Sequence, residues 1–400
     1  MTQATSVVRH LRPRDGSATQ PITAVELFSD LVYVFAVTQL AQLILADLSV
    51  GGLARAAFLL VIVWWAWIYT TWMANWFDPA SPAVGAVLSG VMLVSLLMAA
   101  SLPHALTTQG TLFAASYVTL QVGRNLAAMS LLPPGHRLRG VFERLVVWSI
   151  ASGALWLAGA AVDGDQRLLL WIAALAIDLA APVAGYWLPG RGRAATSAYD
   201  IEGGHFAERC QGFIIIALGE SIVVTGATAA HAGLGATVVL CLAIAFVETA
   251  ALWWLYFGAA AEHTRAILSV SENPGRLARD AYTYLQMPIV AGIVGAAVGQ
   301  HLLIAAPHDP LHGIGLAVVL GGAALYLVGE CMFRWRMTST ANAKRLAVAA
   351  ALVLLAPVGD DISALLLTAI VAALLTLLAV WELQPARGLS RAGALSGLPL

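Results

Sequence analysis

Acidic side chains recur inside otherwise apolar stretches of this sequence, and they are the groups most able to do chemistry there. Glu26 and Asp30 stand four residues apart in the run ELFSDLVYVFAVTQL. At about 100° per residue, this spacing puts both carboxylates on one stripe of a helix. Because an ionised carboxylate costs roughly 2.5 to 3.5 kcal/mol at the centre of a bilayer, the stripe should face protein or water. We interpret it as the cytoplasmic mouth of a polar route.

Other charged residues can be placed by depth, counting about 1.5 Å of rise per residue from the predicted cytoplasmic helix ends. Glu26 and Glu208 fall at the interface, whereas Asp30 and Arg124 fall about 10 Å inside. Since an unpaired charge at that depth is costly, we predict that Asp30 and Arg124 form an ion pair within about 4 Å. Glu26 is the alternative partner of Arg124.

Three acids share a predicted layer near the midplane, about 15 to 20 Å from the cytoplasmic ends of their helices: Asp178, Glu220 and Glu248. No basic residue is predicted beside them. A buried carboxylate without a basic partner takes up a proton or binds a cation, as in proton relays and cation routes. The alternative is a structural role, in which the protonated acids hydrogen-bond across helices. We expect Glu220 and Glu248 to face each other, within about 10 Å.

The segment HFAERCQGFIIIALGESIVVTG opens on a charged collar of His205, Glu208 and Arg209. His205 and Glu208 are spaced as two metal ligands can be, but no third ligand accompanies them, so no metal site is predicted. Small residues recur every seventh position, which favours close approach of another helix. They are Gly212, Gly219 and Gly226.

Composition decides the class of protein. Hydrophobic residues make up 60% and charged residues 11% of the 400 residues, and the mean hydropathy is +0.82. Such a chain is a polytopic membrane protein in contact with lipid. The net charge of -1 is uninformative about partners, and because a basic face is absent no nucleic-acid partner is expected. No cofactor motif is present, and the cysteines are widely separated in apolar segments: Cys210, Cys241 and Cys331.

Apolar runs long enough to cross about 30 Å of hydrocarbon predict an all-α fold of about twelve transmembrane helices. They lie near 24–46, 53–75, 83–103, 111–131, 142–162, 167–188, 207–228, 235–259, 280–304, 312–335, 343–358 and 362–382. The eleventh run is short.

Basic residues test this topology, because cytoplasmic loops of membrane proteins are enriched in arginine and lysine. The basic residues on the N-terminal side are Arg9, Arg12, Arg14, Arg137, Arg139, Arg191, Arg193, Arg265, Arg276, Arg336, Lys344, Arg345, Arg387 and Arg391. The opposite side has only Arg55 and Arg167. Both termini are therefore predicted to be cytoplasmic.

The two halves of the chain resemble each other. A shift of 182 residues places Glu26 on Glu208, and six helices per half would give parallel repeats related by an axis along the membrane normal. The predicted organisation is an N-terminal tail, a first repeat, a linker, a second repeat and a C-terminal tail. Their ranges are 1–20, 21–190, 191–206, 207–383 and 384–400.

The motifs ELFSDLVYVFAVTQL, WWAW, HFAER and LGESI resemble those of the bacterial low temperature requirement protein A family over nearly the whole chain. The resemblance implies a polytopic inner-membrane protein connected with growth in the cold. Phe28, Ser29 and Asp30 also resemble the F-S-D signature of potassium channels built from six-helix repeats. Those channels carry an arginine where this chain has Ala24, and the second half has no such signature.

Together these features favour permeation or transport of a proton, a cation or a small solute, with no catalytic residue assigned. The alternatives are a membrane-embedded enzyme that acts on a lipid or isoprenoid, in which the same acids would do acid or base work, and a structural or regulatory protein without turnover. A homo-oligomer is a further candidate assembly.

Overall fold

The computed structural model describes residues 10–13, 21–194, 201–258 and 261–395, with the backbone alone at 261–263 and 384–395. Parts of the predicted tails, 1–9, 14–20 and 396–400, and of the predicted linker, 195–200, lie outside the described residues. Within the described ranges no strand is present and the regular structure is helical. The prediction of an all-helical protein is confirmed.

The helices follow the predicted apolar runs closely. In the first half they are α1 Ala24–Ala46, α2 Val50–Trp76, α3 Pro82–Ser101, α4 Gly110–Val118, α5 Arg124–Ser130, α6 Arg137–Ala160 and α7 Gly164–Val183. In the second half they are α8 Gly203–Ala232, α9 Ala236–Phe257, α10 Ala261–Val270, α11 Pro274–Leu277, α12 Met287–Ala305, α13 Gly313–Thr338, α14 Ala343–Leu354, α15 Ala356–Gly359 and α16 Ala364–Leu395.

Three of the predicted spans are not continuous α-helices. A π-helical segment, Thr119–Gly123, joins α4 to α5, and the short α14 and α15 stand where the eleventh run was expected. Another π-helical segment, Ala278–Leu285, joins α11 to α12. Among the described residues, ten helices are long and apolar enough to cross a membrane. The multi-pass fold is therefore confirmed, whereas the count of twelve is not.

Helix ends follow local sequence signals. Pro82 stands in the first turn of α3, where its missing N–H costs nothing. The side chain of Asn342 accepts a hydrogen bond from the Lys344 amide and caps α14. α13 ends at Ser339, whose φ of 58° is left-handed.

The chain divides into two compact units. Unit 1 takes residues 1–43, 55–210 and 268–283, and unit 2 takes 44–54, 211–267 and 284–400. In unit 1 the core is rich in fully buried tryptophans, namely Trp64, Trp65, Trp67, Trp156 and Trp171. These indoles pack between helices rather than anchor the protein at a membrane surface. The parallel six-helix repeats stay a prediction.

In unit 2, α12 and α13 pack backbone against backbone at glycine. A Cβ on Gly322 would lie 2.9 Å from the carbonyl carbon of Gly295, and a Cβ on Gly292 would lie 2.6 Å from the Tyr326 nitrogen. Any larger residue at these positions would force the helices apart. The expected glycine contact on α8 is wrong at Gly219 and Gly226, where an added Cβ meets nothing within 4 Å.

Two adjacent glycines of α13 test this packing. Gly322→Ala should lower the free energy of unfolding by about 1 to 3 kcal/mol, because the new methyl group overlaps the α12 backbone. Gly321→Ala is the matched control, since its Cβ meets nothing within 4 Å. Thermal unfolding of both purified variants, followed by circular dichroism, measures the difference. Equal stability would contradict the close contact.

Candidate functional site

A network of buried charges in unit 1 joins the first turns of α1 and α8. Glu26 Oε1 lies 2.8 Å from Nη2 of Arg12, 3.0 Å from Nε2 of His205 and 3.6 Å from Nη1 of Arg209. Asp30 Oδ1 lies 2.7 Å from Nη2 of Arg209. All five side chains are buried. Because two carboxylates face two guanidinium groups, the network is neutral when the imidazole is neutral.

Spacing along each helix explains how the network forms. Glu26 and Asp30 are four residues apart on α1, and His205 and Arg209 are four residues apart on α8, so each helix presents both groups on one face. The Thr23 amide and hydroxyl each donate to Glu26 Oε2 at 2.9 Å, which fixes this carboxylate at the start of α1. The carboxylate stripe expected from the sequence is therefore realised, and it faces protein.

The tautomer of His205 follows from its partner Asn75. The Asn75 Oδ1 accepts from the Glu202 amide at 2.9 Å, and Nδ2 donates to the Glu202 carbonyl at 2.9 Å, so the orientation of the amide is fixed. The same Nδ2 lies 3.2 Å from His205 Nδ1, which must then accept. The other ring nitrogen, Nε2, lies 3.0 Å from Glu26 Oε1.

The predicted ion pair between Asp30 and Arg124 is wrong. Asp30 is held by Arg209 and by the Trp67 indole, whose Nε1 donates at 2.9 Å. Arg124 donates to the Thr70 hydroxyl at 3.1 Å and to the Ala66 carbonyl at 3.2 Å. The predicted depths of Asp30 and Arg124 were similar, but the two side chains contact different neighbours. The charged collar on α8 contained the true partner.

Arg124 instead reaches Asp178 through two uncharged side chains in unit 1. Arg124 donates to the Gln121 Oε1, Gln121 Nε2 donates to the Tyr117 hydroxyl at 3.0 Å, and that hydroxyl donates to Asp178 Oδ2 at 3.0 Å. The Trp156 indole also donates to Asp178 Oδ2, at 3.1 Å. Asp178 is therefore hydrogen-bonded by neutral donors alone.

The sequence reasoning missed Gln121 and Tyr117. Gln121 lies in the π-helical segment Thr119–Gly123, where the extra residue per turn changes the direction of the side chains. The two residues are four apart, as helical neighbours must be, but nothing in the spacing showed that Asp178 lies opposite them. Only the packing of α4 against its neighbours reveals the chain of hydrogen bonds.

In unit 2, Glu248 on α9 is buried beside Gln300 on α12. The Gln300 Nε2 donates to Glu248 Oε2 at 3.3 Å and to the Thr249 hydroxyl at 3.1 Å, while Gln300 Oε1 accepts from Thr225 at 3.2 Å. Glu248 is 2% exposed, and no described residue forms an ion pair with it.

A cavity adjoins this group. It encloses about 870 Å³, open solvent included, between α8, α9 and Gln300. Its polar lining consists of the Gln300 amide and three hydroxyl groups, those of Ser221, Thr225 and Thr249. No charged side chain lines it. Apolar side chains make up the rest of its lining.

The other predicted residues are placed as follows. Glu220 is buried next to Ser221, and its expected approach to Glu248 stays a prediction. Glu208 is half-buried, in contrast to the fully buried His205 and Arg209 on the same helix. No group of three potential metal-ligating residues occurs within the part of the chain that was described.

A further buried cluster in unit 2 was not expected from the sequence. Arg345 lies 2.7 Å from both Glu330 Oε2 and Glu382 Oε2, and Arg334 lies 2.9 Å from Glu330. Arg345 and Arg334 also donate to the Leu255 carbonyl at 2.8 and 2.6 Å. The sequence placed Arg345 in a solvated loop. The structure buries it completely, where it ties α13 and α16 to the end of α9.

Removing one partner from the first network tests its contribution. Arg209→Gln leaves Asp30 without its guanidinium, so the free energy of unfolding should fall by about 3 to 5 kcal/mol. The double variant Arg209→Gln with Asp30→Asn should recover part of this loss, because no unpaired charge remains buried. Thermal unfolding in detergent measures both.

The exposed pair of Arg191 and Glu143, 2.9 Å apart, supplies the control. Arg191→Gln should cost less than about 1 kcal/mol, since water screens this pair. A similar cost for Arg191→Gln and Arg209→Gln would show that burial does not matter.

Comparison with known proteins places this sequence in a family. The family model of the bacterial low temperature requirement A protein matches residues 21–380. An uncharacterized protein from Rhizobium meliloti (strain 1021) is 33% identical over 377 residues, which cover 92% of this chain and 90% of the relative. No solved structure matches the chain. The chain therefore belongs to the bacterial low temperature requirement A family of multi-pass membrane proteins.

Proposed function

We propose that this protein moves a proton or a small cation across the membrane, and that Glu248 is the group that carries it. The supporting observation is a fully buried carboxylate whose hydrogen-bond partner, Gln300, is uncharged. An isolated ionised carboxylate in a medium of low polarity is costly, so Glu248 binds a proton or a cation when it is closed off from water.

Contrast with the other buried acids supports this assignment. Glu26 and Asp30 face arginines in unit 1, and Glu330 and Glu382 face arginines in unit 2. Those carboxylates are already neutralised, and a permeating cation would have to displace a guanidinium group. Glu248 has no such competitor, which leaves its charge to a mobile ion.

The lining of the neighbouring cavity fits the same role. Hydroxyl groups of Thr225 and Thr249 and the Gln300 amide provide oxygen atoms of the kind that hydrated protons and hard cations prefer. The amide can pass a hydrogen bond between Glu248 and Thr225 without carrying a charge itself. In this proposal Glu26 and Asp30 hold helix ends in place instead of binding the ion.

Flux through reconstituted protein tests the proposal. In liposomes with an internal pH dye, and with proton, sodium and potassium gradients imposed in turn, the wild type should dissipate at least one gradient. Glu248→Gln should abolish that flux and leave the unfolding temperature nearly unchanged, because glutamine keeps the volume and the hydrogen bond to Gln300.

Glu143→Gln serves as the control, since Glu143 is a half-exposed glutamate of α6. It should keep full flux. Flux that survives Glu248→Gln, or no flux of any ion in the wild type, would overturn the proposal. If the wild type carries no ion flux but turns over an added isoprenoid or lipid substrate, a membrane-embedded enzyme would be favoured. The apolar rim of the cavity, at Ile222, Val239 and Phe246, would then admit an acyl chain.

The proposal also places both termini in the cytoplasm of a bacterial cell, as the distribution of arginine and lysine favours. A green fluorescent protein fused after Leu400 should then fluoresce, because it folds only in the cytoplasm. Alkaline phosphatase inserted at His308 should be active, since that loop is predicted to be periplasmic. The opposite pattern would reverse the topology.

A further inference from the structure

A cavity in unit 1 has a chemistry unlike that of the cation site. Its volume is about 590 Å³ when the open solvent within it is counted. Its walls are mainly aromatic and apolar side chains, among them Tyr69, Trp72, Trp76, Tyr186 and Leu145. Flat apolar molecules suit such walls because ring faces can stack on them.

Within the described residues, the charged side chains at the cavity are two arginines and one carboxylate. Arg276 and Arg279 line it, and the nearest carboxylate, Asp280, lies 3.9 Å from Arg276 and 2.7 Å from Arg279. These three side chains leave one net positive charge. Arg279 is satisfied by Asp280 and by the Pro182 carbonyl, so the exposed Arg276 is the group that can take a ligand charge.

A second cation stands behind the aromatic wall. The Arg124 guanidinium lies 5.6 Å from the centre of the Tyr69 ring, and its hydrogen bonds go to Gln121, Thr70 and Ala66 instead of to a carboxylate. This buried positive charge opposes an organic cation in the cavity and favours an anion.

Both π-helical segments contribute to this region. Arg279 and Thr283 belong to Ala278–Leu285, and the Thr283 hydroxyl accepts a hydrogen bond from the Trp72 indole at 3.1 Å. Gln121 belongs to Thr119–Gly123 and lines a smaller cavity that shares Tyr69 and Tyr186 with the larger one. Such segments cost helix regularity and are found frequently at functional sites.

We infer that this cavity binds a small organic monoanion, a carboxylate with a flat apolar body, with its charge at Arg276 and its body between Trp72, Trp76 and Tyr186. At the cavity itself, Arg276, Arg279 and Asp280 leave one net positive charge, which matches a monoanion better than a phosphate dianion. Binding itself does not depend on the proposed ion flux.

Calorimetric titration of the full chain in phosphatidylcholine nanodiscs tests the inference with three matched ligands: cinnamate, cinnamyl alcohol and cinnamylamine. Cinnamate should bind, and the alcohol and the amine should bind much more weakly. Arg276→Gln should weaken cinnamate binding about two- to fivefold, the effect of losing one exposed ion pair. Arg55→Gln, an exposed arginine outside the cavity, should not change it.

Filling the cavity gives an independent variant. Ala194→Trp places an indole in the lining at a half-buried loop position, and it should abolish cinnamate binding while thermal unfolding stays unchanged. Nanodiscs that contain phosphatidylglycerol separate two sources of the anion. Unchanged cinnamate affinity there points to a soluble acid, and competition points to the lipid headgroup, so both results support an anion site.

Equal affinity for cinnamate and cinnamyl alcohol, or unchanged binding in both Arg276→Gln and Ala194→Trp, would overturn the inference. Glu248→Gln should leave cinnamate binding intact. The flux assay and the cinnamate titration can therefore fail independently of each other.

Discussion

Charges buried among apolar helices must be neutralised where they stand, and this constraint governs the structure. Water cannot solvate these charges, and moving an ionic group out of water costs several kcal/mol of free energy unless a partner in the protein replaces the water. Arg209 forms ion pairs with Glu26 and Asp30 in unit 1, and Arg345 forms ion pairs with Glu330 and Glu382 in unit 2. In each unit a second arginine adds to the cluster, Arg12 at Glu26 and Arg334 at Glu330.

Once these pairs are accounted for, the remaining buried charges stand out. Among the described residues, Asp178 and Glu248 have neutral hydrogen-bond partners and Arg124 has no carboxylate partner. A stable fold does not need such groups, since uncharged residues of similar volume would pack at lower cost. Their presence is the reason to assign ion movement to Glu248 and anion binding to the cavity near Arg124.

Departures from regular helix coincide with these unusual charges. The segment Thr119–Gly123 turns Gln121 toward Tyr117, and Ala278–Leu285 supplies Arg279 and Thr283 to the aromatic cavity. An inserted residue in a π-helical turn redirects side chains that an α-helix would send elsewhere. Where packing alone is required, as between α12 and α13, the helices remain regular and meet through glycine.

The sequence by itself determined the membrane class, the helix positions and the shared face of Glu26 and Asp30, because hydropathy and helical period are local properties. The motifs also indicated the family that the comparison then established. Only the tertiary structure decided that Asp30 pairs with Arg209 instead of Arg124, and that Arg345 is buried. Depth follows from counting residues along a helix, whereas partners depend on how helices rotate and pack, which no linear spacing records.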